Sequence, residues 1–179
     1  MFKYNNKYFK LIVTNYNKIL KFIMRFLSHN IKETLKIRLL AILKIPLMFF
    51  CRPYVKSIND DEVTIVIPFK RRNKNHVGSM YFGALCVGAD LTGGYLAMHH
   101  ISKGKKKIKL LFKDFHADFF KRAEGDVHLV CSDGREIKKL VDKVSKSGNR
   151  SNMTVKILAY VPSKFEDPIA KFTLTLSLK

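Results

Sequence analysis

The chain has 179 residues, of which 47% are hydrophobic, and this is enough for one domain with a real core and an extension. It holds 34 Lys and Arg residues against 14 Asp and Glu, and the net charge of +20 fits nucleic acid, an anionic membrane surface or a phosphate-bearing ligand equally well. A zinc-knuckle spacing and a glycine-aromatic RNA-binding signature are both missing from the sequence, so nucleic acid ranks last among these partners.

Local composition argues against membrane spans and disulfides. The longest uncharged stretches near the N-terminus, Leu11–Asn17 and Ile45–Cys51, fall far short of the roughly 20 apolar residues that a span needs. The three cysteines are far apart, odd in number and flanked by apolar residues, which indicates reduced thiols: Cys51, Cys86 and Cys131. We therefore expect a cytoplasmic protein, with attachment to a membrane surface left open.

Residues 1–57 form a basic N-terminal extension. From Ile19 to Leu47, apolar residues recur at steps of three and four among lysines, which predicts one or two amphipathic helices. Pro46 and Pro53 are expected to end them.

These helices have two interpretations. Either residues 1–50 contact anionic lipid as a peripheral anchor, or the helices pack on the domain, which we favour for residues 31–50. Residues 1–23 are either a disordered arm or an upstream piece before a true start at Met24, and the sequence leaves both open.

The pattern beyond Asn59 changes to strands and one long helix. Val63, Ile65 and Ile67 alternate with other residues as in a half-buried strand. A glycine-rich helix follows and runs to about Ile101. Each interior glycine costs a helix roughly 1 kcal/mol relative to alanine, so these glycines predict close approach of a sheet, a second helix or a ligand.

The remaining segments predict a sheet. After Ile108 the apolar alternation slips by one residue between Phe112 and Phe115, which predicts a bulge. A strand after Gly125 and a short helix ending near Gly148 precede a terminal hairpin. This order predicts an α+β domain over residues 58–179, in which an antiparallel sheet curls around the single long helix.

Three segments carry a family resemblance: RNKNHVGSMYFGALCVGAD, KIKLLFKDFHADFFKRAEGDV and the terminal hairpin NMTVKILAYV to AKFTLTLSLK. Over about residues 58–179 they resemble hotdog-fold thioesterase-like proteins of the phenylacetyl-coenzyme A thioesterase type, in a branch labelled a domain of unknown function. The family usually has His-Gly-Gly before the helix, whereas this chain has Tyr81-Phe82-Gly83, without the histidine and the first glycine.

The resemblance implies an acyl-coenzyme A hydrolase, in which coenzyme A is part of the substrate and no other cofactor is needed. Asp90 matches the acid that acts as nucleophile or base from the partner subunit. Gly83 matches the glycine that opens the helix, and Asn75 the polar residue upstream of it. The alternative is a non-catalytic acyl- or lipid-binding hotdog protein at a membrane surface.

Physical chemistry is compatible with this site. The N–H groups at a helix N-terminus suit an oxyanion on a thioester carbonyl, and Gly78 and Ser79 let substrate reach them. Asn75 and His76 are otherwise N-terminal caps of the helix, and for His76 we favour capping or solvent contact over a role as base. Arg72 is one of several cations near the helix ends that could meet the phosphates of coenzyme A.

Helix geometry adds a requirement for two subunits. Gly78 and Asp90 are twelve residues apart, about 18 Å along a helix, so one chain cannot bring both to one carbonyl. Two antiparallel helices in a homodimer or a dimer of dimers could. Asp90 is otherwise a structural acid satisfied by Thr92 or nearby backbone.

One strand carries three residues of types that bind metal ions. Asp114, His116 and Asp118 alternate along one strand, but three ligands on a straight strand lie too far apart to converge on one ion. We interpret them as a polar outer face and expect no metal.

Overall fold

The computed structural model describes residues 27–179, and two helices open this range. Helix α1 spans His29–Lys44, and the side chain of Ser28 caps it by accepting a hydrogen bond from the Ile31 N–H. Helix α2 spans Pro46–Cys51 with its proline in the first turn, where a missing N–H costs nothing. The interpretation of residues 1–23, and the helical pattern predicted from Ile19 to residue 26, lie outside the described residues.

Six strands form one antiparallel sheet in the order β1-β2-β4-β5-β6-β3. They are β1 (Tyr54–Ile58), β2 (Val63–Ile67), β3 (Leu110–Phe119), β4 (Val127–Cys131), β5 (Ser151–Tyr160) and β6 (Ala170–Leu178). The predicted slip in β3 is present, since its register with β6 shifts between Phe112 and Phe115. The predicted terminal hairpin is β5 and β6, paired from Ser151 with Leu178 to Ala159 with Ala170.

The N-terminal helices are tied to the first strand. The Val55 N–H of β1 donates to Thr34 Oγ1 of α1 at 2.9 Å, and the Asn30 side-chain amide donates to the Lys56 carbonyl. Strand β1 lies almost entirely on the N-terminal side of the boundary predicted at residue 58, so the sheet begins inside the segment that the sequence assigns to the extension.

Helix α3 (Phe82–Lys103) is the centre of the molecule. It packs against strands β2 to β6, and also against α2 and the short helix α4 (Gly134–Ser147). The predicted short helix is α4, and its apolar residues are buried in one stripe: Ile137, Leu140, Val141 and Val144. An antiparallel sheet around one long helix is the α+β hotdog architecture that the sequence predicts.

Glycines allow α3 to approach the sheet, though not at every position. A β-carbon at Gly88 would lie 2.8 Å from Leu129 and 2.9 Å from Ile67, whereas one at Gly94 would meet Phe112 at an ordinary 3.6 Å. Close approach therefore explains Gly88 and not Gly94. Gly78 lies before the helix with φ +82° and open space around it, so its role is conformational.

This difference gives a matched stability prediction. We expect Gly88→Ala to lower the free energy of unfolding by about 1–2 kcal/mol, because overpacking a fully buried site costs about 1–3 kcal/mol and helix propensity returns about 1. The same change at Gly94 should raise it by up to about 1 kcal/mol. Urea denaturation of the two variants checks this, and equal effects would contradict the packing argument.

Candidate active site on the central helix

The segment before α3 is a tight turn organised by Asn75. The Asn75 Oδ1 accepts hydrogen bonds from the N–H groups of Val77 and Ser79, both at 3.1 Å, and the Asn75 N–H donates to the Ser79 carbonyl at 2.8 Å. Ser79 is buried, while His76 is exposed in the turn. Asn75 therefore shapes the approach to the helix and does not cap it.

The N-terminus of α3 itself has free donors. Tyr81 is the N-cap residue and offers no side-chain hydrogen bond, and the N–H groups of Phe82 and Gly83 have no acceptor within residues 27–179. The Tyr81 ring lies against Gly83 so closely that a β-carbon there would overlap it. Two backbone N–H groups and the positive end of the helix dipole are thus available for an anion or a polarised carbonyl.

A cavity of about 340 Å³ lies at this helix start. Asn75, Ser79 and Phe82 line it together with the last residue of β3 and the residues that follow this strand: Phe119, Phe120, Lys121 and Arg122. The structure thus brings Asn75 and Ser79 together at the N-terminus of α3.

Asp90 lies in a second cavity, of about 300 Å³, two turns further along α3. Its other lining residues are apolar apart from Tyr95, and they come from four elements: Leu40, Ile45 and Met48 from the N-terminal helices and the loop between them, Leu91, Gly94 and Met98 from α3, and Leu110, Leu111 and Phe112 from β3. The carboxyl has no hydrogen-bond donor among the described residues. An apolar chamber with one acid is the arrangement expected for a site that holds an acyl chain beside a reactive group.

Burial raises the pKa of Asp90 above its ordinary value of 3.8, because desolvation disfavours the charged form. If Asp90 were a structural acid, its carboxylate would need a hydrogen-bond donor such as the Thr92 hydroxyl. That hydroxyl instead donates to the Gly88 carbonyl at 2.7 Å, within the helix. An acid with a raised pKa and no bonded partner in a cavity is a candidate general base or nucleophile.

The sequence does not reveal a second buried acid near this cavity. Glu33 of α1 is buried, and its carboxylate accepts hydrogen bonds from the Tyr95 hydroxyl and the Lys36 ammonium, both at 2.6 Å. Burial opposes ionisation of Glu33, but these two hydrogen bonds and the nearby positive charges outweigh it and lower its pKa. Burial and the Glu33 carboxylate raise the pKa of Tyr95. The pair joins α1 to α3 beside the Asp90 cavity, which Tyr95 also lines.

We expect Tyr95→Phe to lower the free energy of unfolding by about 1.5–3 kcal/mol at pH 7, since a buried hydrogen bond to a charged group is lost. The folded-state pKa of Glu33 is lowered, so its contribution is present above pH 4.5 and is lost as the pH falls through the folded value. The difference between the proteins should therefore shrink in acid. Denaturation curves at pH 7 and at a pH below 4.5 test this. Tyr160→Phe is the control, because the Tyr160 hydroxyl forms no hydrogen bond within residues 27–179.

Arg72 lies apart from the predicted site. It is exposed in a short 3₁₀ helix (Arg71–Asn73) and lines a separate groove of about 830 Å³. Asp114, His116 and Asp118 form no metal cluster, and none occurs elsewhere within residues 27–179. Asp114 instead accepts a hydrogen bond from the Thr175 N–H of the neighbouring strand.

The two cavities are separate in one chain. The helix begins at Phe82 and not at Gly78, so its rise to Asp90 is about 12 Å, shorter than the length of about 18 Å expected from the sequence but still too long for both to reach one carbonyl. Phe82, Cys86 and Asp90 follow each other at steps of four along a stripe of α3 that is less buried than its other faces. The helix start at Phe82 and the Asp90 carboxyl therefore lie on the same side of α3.

No functionally curated protein matches the chain by sequence. Several solved structures match it by fold. A protein of unknown function from Chlorobaculum tepidum matches with a TM-score of 0.71 at 13% identity, over 83% of this chain and 95% of that one. A Pseudomonas aeruginosa protein described as a probable thioesterase matches at 0.66 and 22% identity, over 82% and 95%. A Haemophilus influenzae thioesterase matches at 0.59 and 12% identity, over 79% and 87%.

These likenesses agree with the hotdog fold described above. The family model named Domain of unknown function (DUF4442) matches residues 35–176, which include α2 to β5, most of α1 and most of β6. The chain therefore belongs to the DUF4442 family, on a hotdog fold.

Proposed function

We propose that this protein hydrolyses acyl thioesters, with acyl-coenzyme A as the substrate class. The observation that carries the proposal is Asp90, a half-buried acid with a raised pKa that faces an apolar cavity on the central helix. The description of two structural neighbours as thioesterases supports the same reaction. Coenzyme A enters as part of the substrate.

The chemistry needs an oxyanion donor and a base. The free N–H groups of Phe82 and Gly83 polarise the thioester carbonyl and stabilise the oxyanion that forms when water adds to its carbon. Asp90 takes the proton from that water as the new C–O bond forms. The C–S bond then breaks, and the thiolate leaves with that proton, which yields a free acid and coenzyme A thiol. Direct attack by Asp90, with hydrolysis of the resulting anhydride, is the alternative use of the same carboxylate.

The site is completed by a second subunit. Strand β3 is an edge strand of ten residues with Leu111, Phe115 and Phe119 exposed, and a long apolar edge of this kind is a template for pairing with another chain. Pairing of two β3 edges about a two-fold axis would place the two α3 helices antiparallel. The Asp90 of each chain then faces the helix start of the other.

The experiment is an assay of the purified chain against acyl-coenzyme A thioesters of graded chain length, following release of the free thiol. Turnover that depends on chain length supports the proposal. Saturable acyl binding without thiol release, from a folded dimer, would contradict it and favour the acyl-binding alternative.

A further inference from the structure

The outer face of α1 and α2 is unusually apolar for an exposed surface. Seven large apolar side chains are exposed there: Ile31, Leu35, Leu39, Ile42, Leu43, Leu47 and Phe50. Leu39, Leu43 and Leu47 are 60%, 66% and 63% exposed, although the opposite face of α1 is buried through Glu33 and Ile37. The packing on the domain that the sequence favours for residues 31–50 is present, yet it uses only one side of the helix.

A strongly basic groove adjoins this face. Phe50 lines it, together with five cations: Arg38, Arg52, Lys70, Arg71 and Arg72. Among the described residues that line the groove none is acidic, and none of the five cations forms an ion pair within residues 27–179. The Arg38 Nε is buried and has no acceptor in the same range. Apolar side chains beside unpaired cations are the composition of an interfacial helix.

We propose that this face, formed by α1, α2 and the groove of Lys70 to Arg72, docks on an anionic lipid membrane. The exposed aliphatic side chains enter the interface, and the cations meet lipid phosphates and carboxylates at the surface. The docking that we propose is peripheral. Within residues 27–179 no helix combines the length and apolarity needed to cross a membrane.

Charge selects this occupant over two others. Residues 1–26 carry six Lys and Arg and no acid, and a second copy that docked face to face would bring its own cationic groove against this one, so both would be repelled. Nucleic acid would satisfy the cations but offers no apolar phase for five leucine and isoleucine side chains of α1. An anionic bilayer offers both.

Docking would also orient the candidate site. Leu40, Ile45 and Met48, which line the Asp90 cavity, belong to the same two helices and the loop between them. The docked face therefore lies beside an apolar cavity of this chain. The inference concerns binding and does not rest on the proposed hydrolysis.

The first test is sedimentation of the full chain with vesicles of phosphatidylcholine alone or mixed with phosphatidylserine. We expect binding to the mixed vesicles. It should fall about a hundredfold in a triple variant of Arg52→Gln, Lys70→Gln and Arg71→Gln, because each cation near an anionic surface contributes about 1 kcal/mol. Lys138→Gln, Lys139→Gln and Lys143→Gln together remove the same charge from the exposed face of α4 and should change binding far less.

A second readout locates the contact. The chain contains no tryptophan, so Leu43→Trp and Lys139→Trp each introduce a single fluorophore, on α1 and α4 respectively. Vesicles should shift the emission of the first to shorter wavelength and leave the second unchanged. Equal vesicle binding by wild type and by the triple variant at Arg52, Lys70 and Arg71 would overturn the proposal, as would equal emission shifts at both tryptophans.

The rival occupants give different results. Leu39→Ser with Leu43→Ser should reduce vesicle binding without changing oligomeric state. A change in oligomeric state instead would identify a second copy as the partner. Nucleic acid would be identified if the wild-type chain bound oligonucleotides tightly and did not bind vesicles, and if the triple variant at Arg52, Lys70 and Arg71 lost the oligonucleotide binding. Either outcome overturns membrane docking.

Discussion

Asp90→Asn is expected to reduce thioester hydrolysis by about 10²–10⁴-fold, which is the usual contribution of a general base. The amide has nearly the same size and occupies the same cavity, but it cannot accept a proton from water. The measurement is thiol release at saturating substrate. Asp142→Asn, at an exposed acid on α4, is the matched control and should keep full activity.

Stability should move in the opposite direction to activity. The folded-state pKa of Asp90 is raised, so the native state binds its proton more tightly than the unfolded chain does. Native stability is therefore lost as the pH rises from 3.8 through the folded value, and the full cost remains at neutral pH. Asp90→Asn removes that cost, so the variant should be more stable than wild type at pH 7, with an advantage that shrinks as the pH falls through the folded-state pKa and is absent below pH 3.8.

A catalytic role and a structural role differ clearly in these measurements. If Asp90 held the fold together, its amide variant would lose stability and activity in parallel. The wild-type rate should also fall in acid along a limb that lies above pH 3.8, because the protonated carboxyl is inactive. Unchanged activity in a stabilised variant would remove Asp90 from the mechanism and favour the acyl-binding alternative.

The elements that sequence patterns predict well are those whose burial follows their own periodicity. The burial of strand β6 alternates from Ala170 to Leu176, and the stripe of α4 repeats at three and four, so local sequence specifies both. Strand β1 is different. Its five residues include exposed Lys56 and Ser57. It pairs with β2 in the sheet and is tied to α1 by the hydrogen bond of Val55 with Thr34, a contact that no local sequence pattern predicts.

The candidate site divides in the same way. Asp90 is conspicuous because it is one acid in a long apolar helix, and the distance from the helix start follows from residue count alone. The pair of Glu33 and Tyr95 is 62 residues apart and exists only because α1 packs on α3. One signal for it is present in the sequence, since Glu33 shares the buried stripe of α1 with Ile37 and Ala41. Only the structure supplies the partner that makes this burial tolerable.

Gly83→Pro is expected to reduce hydrolysis by about 10²–10³-fold, the usual cost of one lost oxyanion donor, because proline removes the N–H at this position. Proline is tolerated in the first turn of a helix, and Gly83 is the second residue of α3. Gly83→Ala is the control. Its β-carbon also displaces the Tyr81 ring, but it retains the N–H and should keep most of the activity. Circular dichroism verifies that both variants keep their helix content.

A heterodimer of one Gly83→Pro chain and one Asp90→Asn chain tests whether two chains share each site. When the two inactive chains are co-expressed with different affinity tags and isolated as heterodimers, one site pairs an intact helix start with an intact Asp90, and the other has lost both. The heterodimer should therefore recover about half of the wild-type rate, although each parent homodimer is inactive. If each chain instead carried its own complete site, every site in the heterodimer would contain one lesion. A folded heterodimer without activity would then place the helix start and Asp90 of the same chain in one site, contrary to the separation of the two cavities along α3.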